Sequence, residues 1–223
     1  MPKHFLSLLF LIVIGSFTVS VIAQNNKPPF FDQITAFKRN DSIRPPVKDP
    51  IVFVGSSSFA MWRNMNDMFK GYPVLNRGFG GSTLVDVQRY LNDIVIPYRP
   101  KQVIIYAGEN DIASGNVDAT LVTERFKTVF HQIRQKLPGV PIVFIAMKPS
   151  PSREKFLPII MQGNRMINNF LYQQKNAGFV DIYPKMLDAS GKPNQELFLE
   201  DNLHMNEKGY EIWRAAILPY LLK

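Results

Sequence analysis

The sequence predicts an α/β fold of three layers, a five-stranded parallel sheet held between helices. Two observations carry this. Five short apolar runs, Ile51–Val54, Val74–Asn76, Val103–Tyr106, Ile142–Ala146 and Phe179–Ile182, lack polar/apolar alternation, as strands buried on both faces of a parallel sheet do. Segments with helical spacing lie between them, and strands alternating with helices build parallel sheets through crossover connections.

Each element can be justified in turn. The first run ends in Gly55-Ser56-Ser57-Ser58 and passes into an amphipathic segment. The second runs into "NRGFGGST", Asn76 to Thr83, followed by a helical pattern over Leu84–Val95. The third ends in "AGENDIASG", Ala107 to Gly115. The clearest helix follows, from Asp118 to Leu137. There Val122, Phe126, Val129, Ile133 and Leu137 recur at spacings of three and four, and Pro138-Gly139 stops it. A further helix is predicted over Phe156–Lys175. The last covers Glu207–Leu222, with Asn206 placed as its N-cap.

Two segments precede this domain, which is expected to span residues 51–223. Residues 24–50 are rich in proline and polar groups and read as a lead-in arm. Residues 1–23 have the tripartite shape of a secretory signal: Lys3, an apolar run from Phe5 to Ile14, and the small-residue ending Val21-Ile22-Ala23. Phe5 to Ala23 is nearly long enough to serve instead as an anchor helix. The serines and threonine in its second half favour cleavage after Ala23. The expectation is a secreted or periplasmic protein with no stable membrane insertion after cleavage.

Composition narrows the chemistry. Of 223 residues, 46% are hydrophobic, enough for a substantial core. The net charge of +8 is scattered, with no basic run interleaved with aromatics. That describes a solvated surface rather than a nucleic-acid partner. The chain has no cysteine, which excludes disulfides, a thiol nucleophile and thiolate metal sites. No histidines or carboxylates cluster at metal-ligand spacing, so neither metal nor cofactor is expected.

Ligands bind beyond the carboxyl ends of the strands in such sheets. The strand-end stretches together offer serine hydroxyls, glycine-rich backbone and an amide side chain, and "EDNLHMN", Glu200 to Asn206, adds an acid–histidine pair. Of the 3 histidines, His4 lies in the presumed signal and His131 on the polar face of a helix. His204 is therefore the candidate base. Asp201, three residues earlier, is placed to orient its ring, as a serine–histidine pair requires.

These stretches, in this order, resemble the blocks of the SGNH hydrolases, also called GDSL-type esterases/lipases. The family's Gly-Asp-Ser block corresponds to Gly55-Ser56-Ser57, its glycine block to Gly81, its Gly-x-Asn-Asp block to Gly108-Glu109-Asn110-Asp111, and its Asp-x-x-His block to Asp201 and His204. The resemblance implies a flavodoxin-like fold and a triad of Ser57, His204 and Asp201. It implies an oxyanion hole made of the Ser57 and Gly81 backbone N–H groups and the Asn110 amide. Ser56 stands where the family usually has aspartate. Ser58 is then a polar residue starting a helix.

The resemblance further implies a carboxylic-ester hydrolase working through an acyl-serine, on a small-molecule or glycan ester. Carbohydrate O-acetyl esterase and lysophospholipase activities both stay open. A non-catalytic glycan-binding protein on the same fold is the alternative from another class, with Ser56 marking decay of the site. The segment "KPSPSREKFLPIIMQGN" is expected to line the acyl or leaving-group side, where Lys148 and Arg153 either meet an anionic substrate or are solvated charges.

Overall fold

The computed structural model describes residues 27–223. The presumed signal, Met1–Ala23, and its cleavage point lie outside the described residues. The first element, α1 (Phe31–Ile43), falls in the expected lead-in arm. Strand β1 (Ile51–Gly55) follows, then the short helices α2 (Ser57–Ala60) and α3 (Met65–Met68). After them come β2 (Val74–Gly78), α4 (Leu84–Ile94), β3 (Gln102–Tyr106), α5 (Glu109–Ala113) and α6 (Ala119–Lys136). The chain ends with β4 (Ile142–Ile145), α7 (Leu157–Tyr172), β5 (Ala177–Val180) and α8 (Glu207–Ile217).

The strands pair in parallel in the order β2-β1-β3-β4-β5. This is the flavodoxin-like order, in which the chain reverses its winding between β1 and β3 and opens a crevice at their carboxyl ends. Strand periodicity explains why the runs are apolar throughout, since successive residues face opposite sides. Val52, Val54, Val103, Ile105, Ile142 and Phe144 face one side, beneath α4, α6 and α7. Ile51, Phe53, Ile104, Tyr106, Val143 and Ile145 face the other, beneath α2, α3 and α8. Both faces are fully packed, and each buried aliphatic or aromatic side chain contributes about 1.5–3 kcal/mol.

The helix ends follow local chemistry. Asp118 caps α6 by accepting from Leu121 N–H at 2.7 Å, and Arg134 and Lys136 complement the dipole at the other end. Asn206 caps α8 through Gly209 N–H, as the sequence predicts. Thr83 and Asp86 form a reciprocal capping box at the start of α4.

Helix α1 docks onto the domain. Ile34 is buried with the α4 cluster. Asp41 pairs with Arg77 and accepts from Tyr98 Oη, while Tyr90 Oη donates to Pro29 O at 2.6 Å. Gln33 Oε1 accepts from Gly80 N–H at 3.2 Å, so the arm also braces the loop after β2. Among the described residues, no helix is long and apolar enough to cross a membrane.

Candidate active site

The turn after β1 is set by steric crowding. Gly55 has φ +152°, and a Cβ there would lie 1.8 Å from Tyr106 O. Only glycine lets β1 run this close to β3 before turning. Ser56 N–H then donates to that same carbonyl at 2.9 Å. Ser56 is buried and extended, and Ser57 becomes the first residue of α2. Its N–H, at a helix start, has no intrahelical acceptor.

The loop after β2 meets the loop after β3 beside it. Gly81 sits at φ +81°, with nothing within 4 Å of where a Cβ would project. Ser82 Oγ donates to Gly55 O at 3.1 Å, and Asn110 Nδ2 donates to Ser82 O at 3.1 Å. Asp111, fully buried, accepts from Leu84 N–H and from Arg125, both at 2.8 Å. Burial raises the pKa of Asp111, opposed by the Leu84 N–H and the Arg125 guanidinium. The three strand ends are thus stitched to one another. Among the described residues, neither the Ser57 nor the Gly81 N–H has a hydrogen-bond acceptor.

The histidine arrives from the loop before α8. A bridge between Phe198 and Met205 closes that loop, and Leu199 N–H donates to His204 O at 2.8 Å. Inside it, Asp201 Oδ1 accepts from the Leu203 and His204 N–H groups, each at 2.9 Å. Asp201 Oδ2 lies 2.6 Å from His204 Nδ1, and His204 Nε2 lies 3.0 Å from Ser57 Oγ. Partial desolvation raises the pKa of Asp201. The hydrogen bonds from the His204 ring and from the two backbone N–H groups outweigh it, and the carboxyl falls from 3.8 to about 2.

The structure therefore brings together Ser57, Asp201 and His204, and gathers Gly81 and Asn110 at the same sheet edge. His131 stays apart, exposed on α6 with its ring edge-on to Phe130 and Phe170. One expectation is corrected, and Ser58 lies in the first turn of α2 as expected. Lys148 neither meets solvent nor is free for an anionic substrate. It is 1% exposed, and its Nζ donates to Glu109 Oε2 at 2.8 Å. Ser58 is more than a polar helix start: it is buried, and its carbonyl accepts from Tyr210 Oη at 2.9 Å. Arg153 is half-buried, on the segment that reaches Asn202 through Ser152 N–H at 3.0 Å.

Sequence reasoning missed the stitching by Ser82 and Asp111. The available signal was Asp111 itself, a carboxylate directly after Asn110 and before the apolar Ile112-Ala113.

Known proteins share this architecture. Residues 47–212 match the GDSL-like lipase/acylhydrolase family. A protein of Streptococcus pneumoniae, provisionally described as a platelet activating factor, superposes with a TM-score of 0.74 at 19% identity. The alignment covers 86% of this chain and 92% of that one. A GDSL-like lipase of Bacteroides thetaiotaomicron gives a TM-score of 0.70 at 20% identity, over 84% of this chain and 96% of that one. A catalytic variant of an acetylxylan esterase from Geobacillus stearothermophilus gives 0.64 at 16% identity, over 78% and 94%. At these identities the likeness speaks to fold. A search of curated proteins finds no match.

Proposed function

Since the chain belongs to the GDSL-like lipase/acylhydrolase family, we propose that it is an exported serine esterase that hydrolyses carboxylic esters through an acyl-serine intermediate. The observation that carries this reading is the continuous relay from Asp201 through His204 to Ser57, with contacts of 2.6 and 3.0 Å. A serine hydroxyl is inert without such a base.

The steps follow from the geometry. Ser57 Oγ attacks the ester carbonyl carbon while His204 Nε2 takes its proton. Asp201, ionised down to about pH 2, holds the Nδ1–H and stabilises the imidazolium. The carbonyl oxygen, now negative, is met by the Ser57 and Gly81 N–H groups and the Asn110 amide. Collapse breaks the bond to the alcohol oxygen, which leaves with the proton returned by His204. Water, activated by the same imidazole, then attacks the acyl-serine and releases the acid and Ser57. Every proton is accounted for by one imidazole, and no cofactor is required.

The substrate reading is a small acyl group on a carbohydrate. A groove of about 380 Å³ between the end of α2 and the start of α8 is lined by Met61, Leu199 and Met205 together with the polar Arg63, Asn206 and Glu207, among others. Met61 lies one turn beyond Ser57, and Leu199 is hydrogen-bonded to the backbone of His204. The apolar part of this mixed lining has room for a longer chain, which keeps lysophospholipid hydrolysis as the second reading. Export rests on the signal-like residues 1–23.

Labelling of the purified protein by a fluorophosphonate, followed by peptide mapping, tests the catalytic reading. An adduct on Ser57 is expected. An unlabelled, folded protein would leave the non-catalytic glycan-binding alternative. Rates on acyl esters of increasing chain length, beside acetylated oligosaccharides, then decide the substrate class.

A further inference from the structure

An ion pair lies buried beneath the site, and the reaction steps above do not use it. Glu109 is 7% exposed and Lys148 is 1% exposed. Glu109 Oε2 accepts from Lys148 Nζ at 2.8 Å and from Tyr106 Oη at 2.6 Å. Lys148 Nζ also donates to Tyr106 Oη at 3.4 Å and stands over the Tyr106 ring. Burial holds the Tyr106 phenol well above its ordinary pKa.

Placement is what makes this cluster informative. Ser56 directly precedes Ser57 at the start of α2, and Glu109 directly precedes Asn110 at the start of α5. Tyr106 ends β3, and its carbonyl receives the Ser56 N–H. Lys148 comes from the segment after β4. A chain of polar contacts thus runs from one side of the reaction centre to the other, through buried groups. Buried ion pairs rarely stabilise a fold more than apolar residues of the same size would. Such a pair does impose fixed distances and directions on the elements that it joins.

We propose that the Glu109–Lys148 pair, joined through Tyr106 to the Ser56 N–H, is a positioning network that sets the Asn110 amide against Ser57. This rests on the serine-esterase reading, in which Asn110 meets the oxyanion. Glu109, Lys148 and Tyr106 touch no substrate. Their effect passes through the placement of Asn110, and a misplacement of about 1 Å costs roughly 100-fold in rate.

The test is the double variant Glu109→Gln with Lys148→Met, which removes both charges at similar volume and leaves no lone buried ion. With a short-chain ester, kcat should fall roughly 10- to 100-fold at unchanged KM. Combined with Asn110→Ala, the same two changes should lower kcat by less than about twofold further, because their effect already passes through that amide. An unchanged kcat, a loss confined to KM, or a full multiplicative loss on top of Asn110→Ala would each overturn the proposal. Should the double variant not fold, Tyr106→Phe removes only the connecting hydroxyl. It should lower kcat several-fold at unchanged KM, and an undiminished kcat there defeats the network. A wild-type chain that neither hydrolyses esters nor labels on Ser57 brings down the esterase reading and this proposal with it. An active wild type with insensitive variants brings down the network alone.

Discussion

His204 Nε2 stands 3.0 Å from Ser57 Oγ although 147 positions separate the two residues in the chain. The contact joins the start of α2 to the loop before α8, two elements that both pack on the same face of the sheet. Phe59, Trp62 and Trp213 meet there with ring centroids 6.2 Å apart in two of their pairings. The hydrophobic core therefore fixes the distance on which the proton transfer depends.

The first prediction concerns this pair. If Ser57 and His204 act as one unit, Ser57→Ala and His204→Ala should each lower kcat by about 10⁶-fold, and the double variant no further. Steady-state kinetics on a chromogenic ester measures this. Losses that multiply would mean that the two residues act separately.

Asn110→Ala separates mechanism from scaffolding. Loss of a donor aimed at charge that appears only in the transition state costs about 10²–10³ in kcat. The amide also donates to Ser82 O, and losing such a bond costs about 0.5–1.5 kcal/mol. The expected outcome is a sharply lower kcat, a similar KM and a melting temperature within about 6 °C of wild type. Early melting, or a change in KM alone, would make Asn110 a structural or substrate-binding residue.

Acid sensitivity follows from Asp201. Its carboxyl titrates at about 2 in the fold against an ordinary 3.8. A depressed pKa contributes stability that is fully present above the ordinary value and lost as pH falls through the folded one. The stability that Asp201→Asn removes should therefore be constant above about pH 5 and vanish between roughly pH 4 and pH 2. Thermal melts of both proteins across that range measure it. A difference between the two that grows toward low pH would contradict the assigned direction.

Gly55→Ala tests the turn that presents Ser57. A Cβ 1.8 Å from Tyr106 O cannot be relieved by moving a side chain, since the obstacle is backbone of the neighbouring strand. The variant should lose at least about 3 kcal/mol, the upper range for overpacking, and melt roughly 6–12 °C lower. Urea unfolding with an unchanged midpoint would show that β1 and β3 can part at this point without cost.

The elements were largely legible in the sequence because their signals are local. Apolar runs without alternation, the three-and-four spacing from Val122 to Ile133, and caps such as Asn206 depend on neighbours within a turn or a strand. The structure shifts some ends: the second strand extends to Gly78, and the fifth starts at Ala177 and stops at Val180. Helix α1 was harder to see. Its residues between Pro29 and Pro45 bury one face weakly, and it is held by Asp41, Tyr90 and Gln33 through partners dozens of positions away.

For the candidate site, the sequence by itself determined the inventory: serines after the first strand, Gly81, Asn110, and Asp201 three residues before His204. The Asp201–His204 contact lies within one local turn, so spacing alone could place it. The resemblance pointed to Ser57, and the tertiary structure supplies the physical reason: Ser56 and Ser58 are buried, while Ser57 Oγ lies 3.0 Å from His204 Nε2. The tertiary structure also decided the fate of Lys148. A lysine beside prolines and serines reads as a surface charge, and only packing against Glu109 and Tyr106 buries it. Spacing along the chain reports contacts within a turn, whereas burial and long-range pairing depend on which strands the core brings side by side.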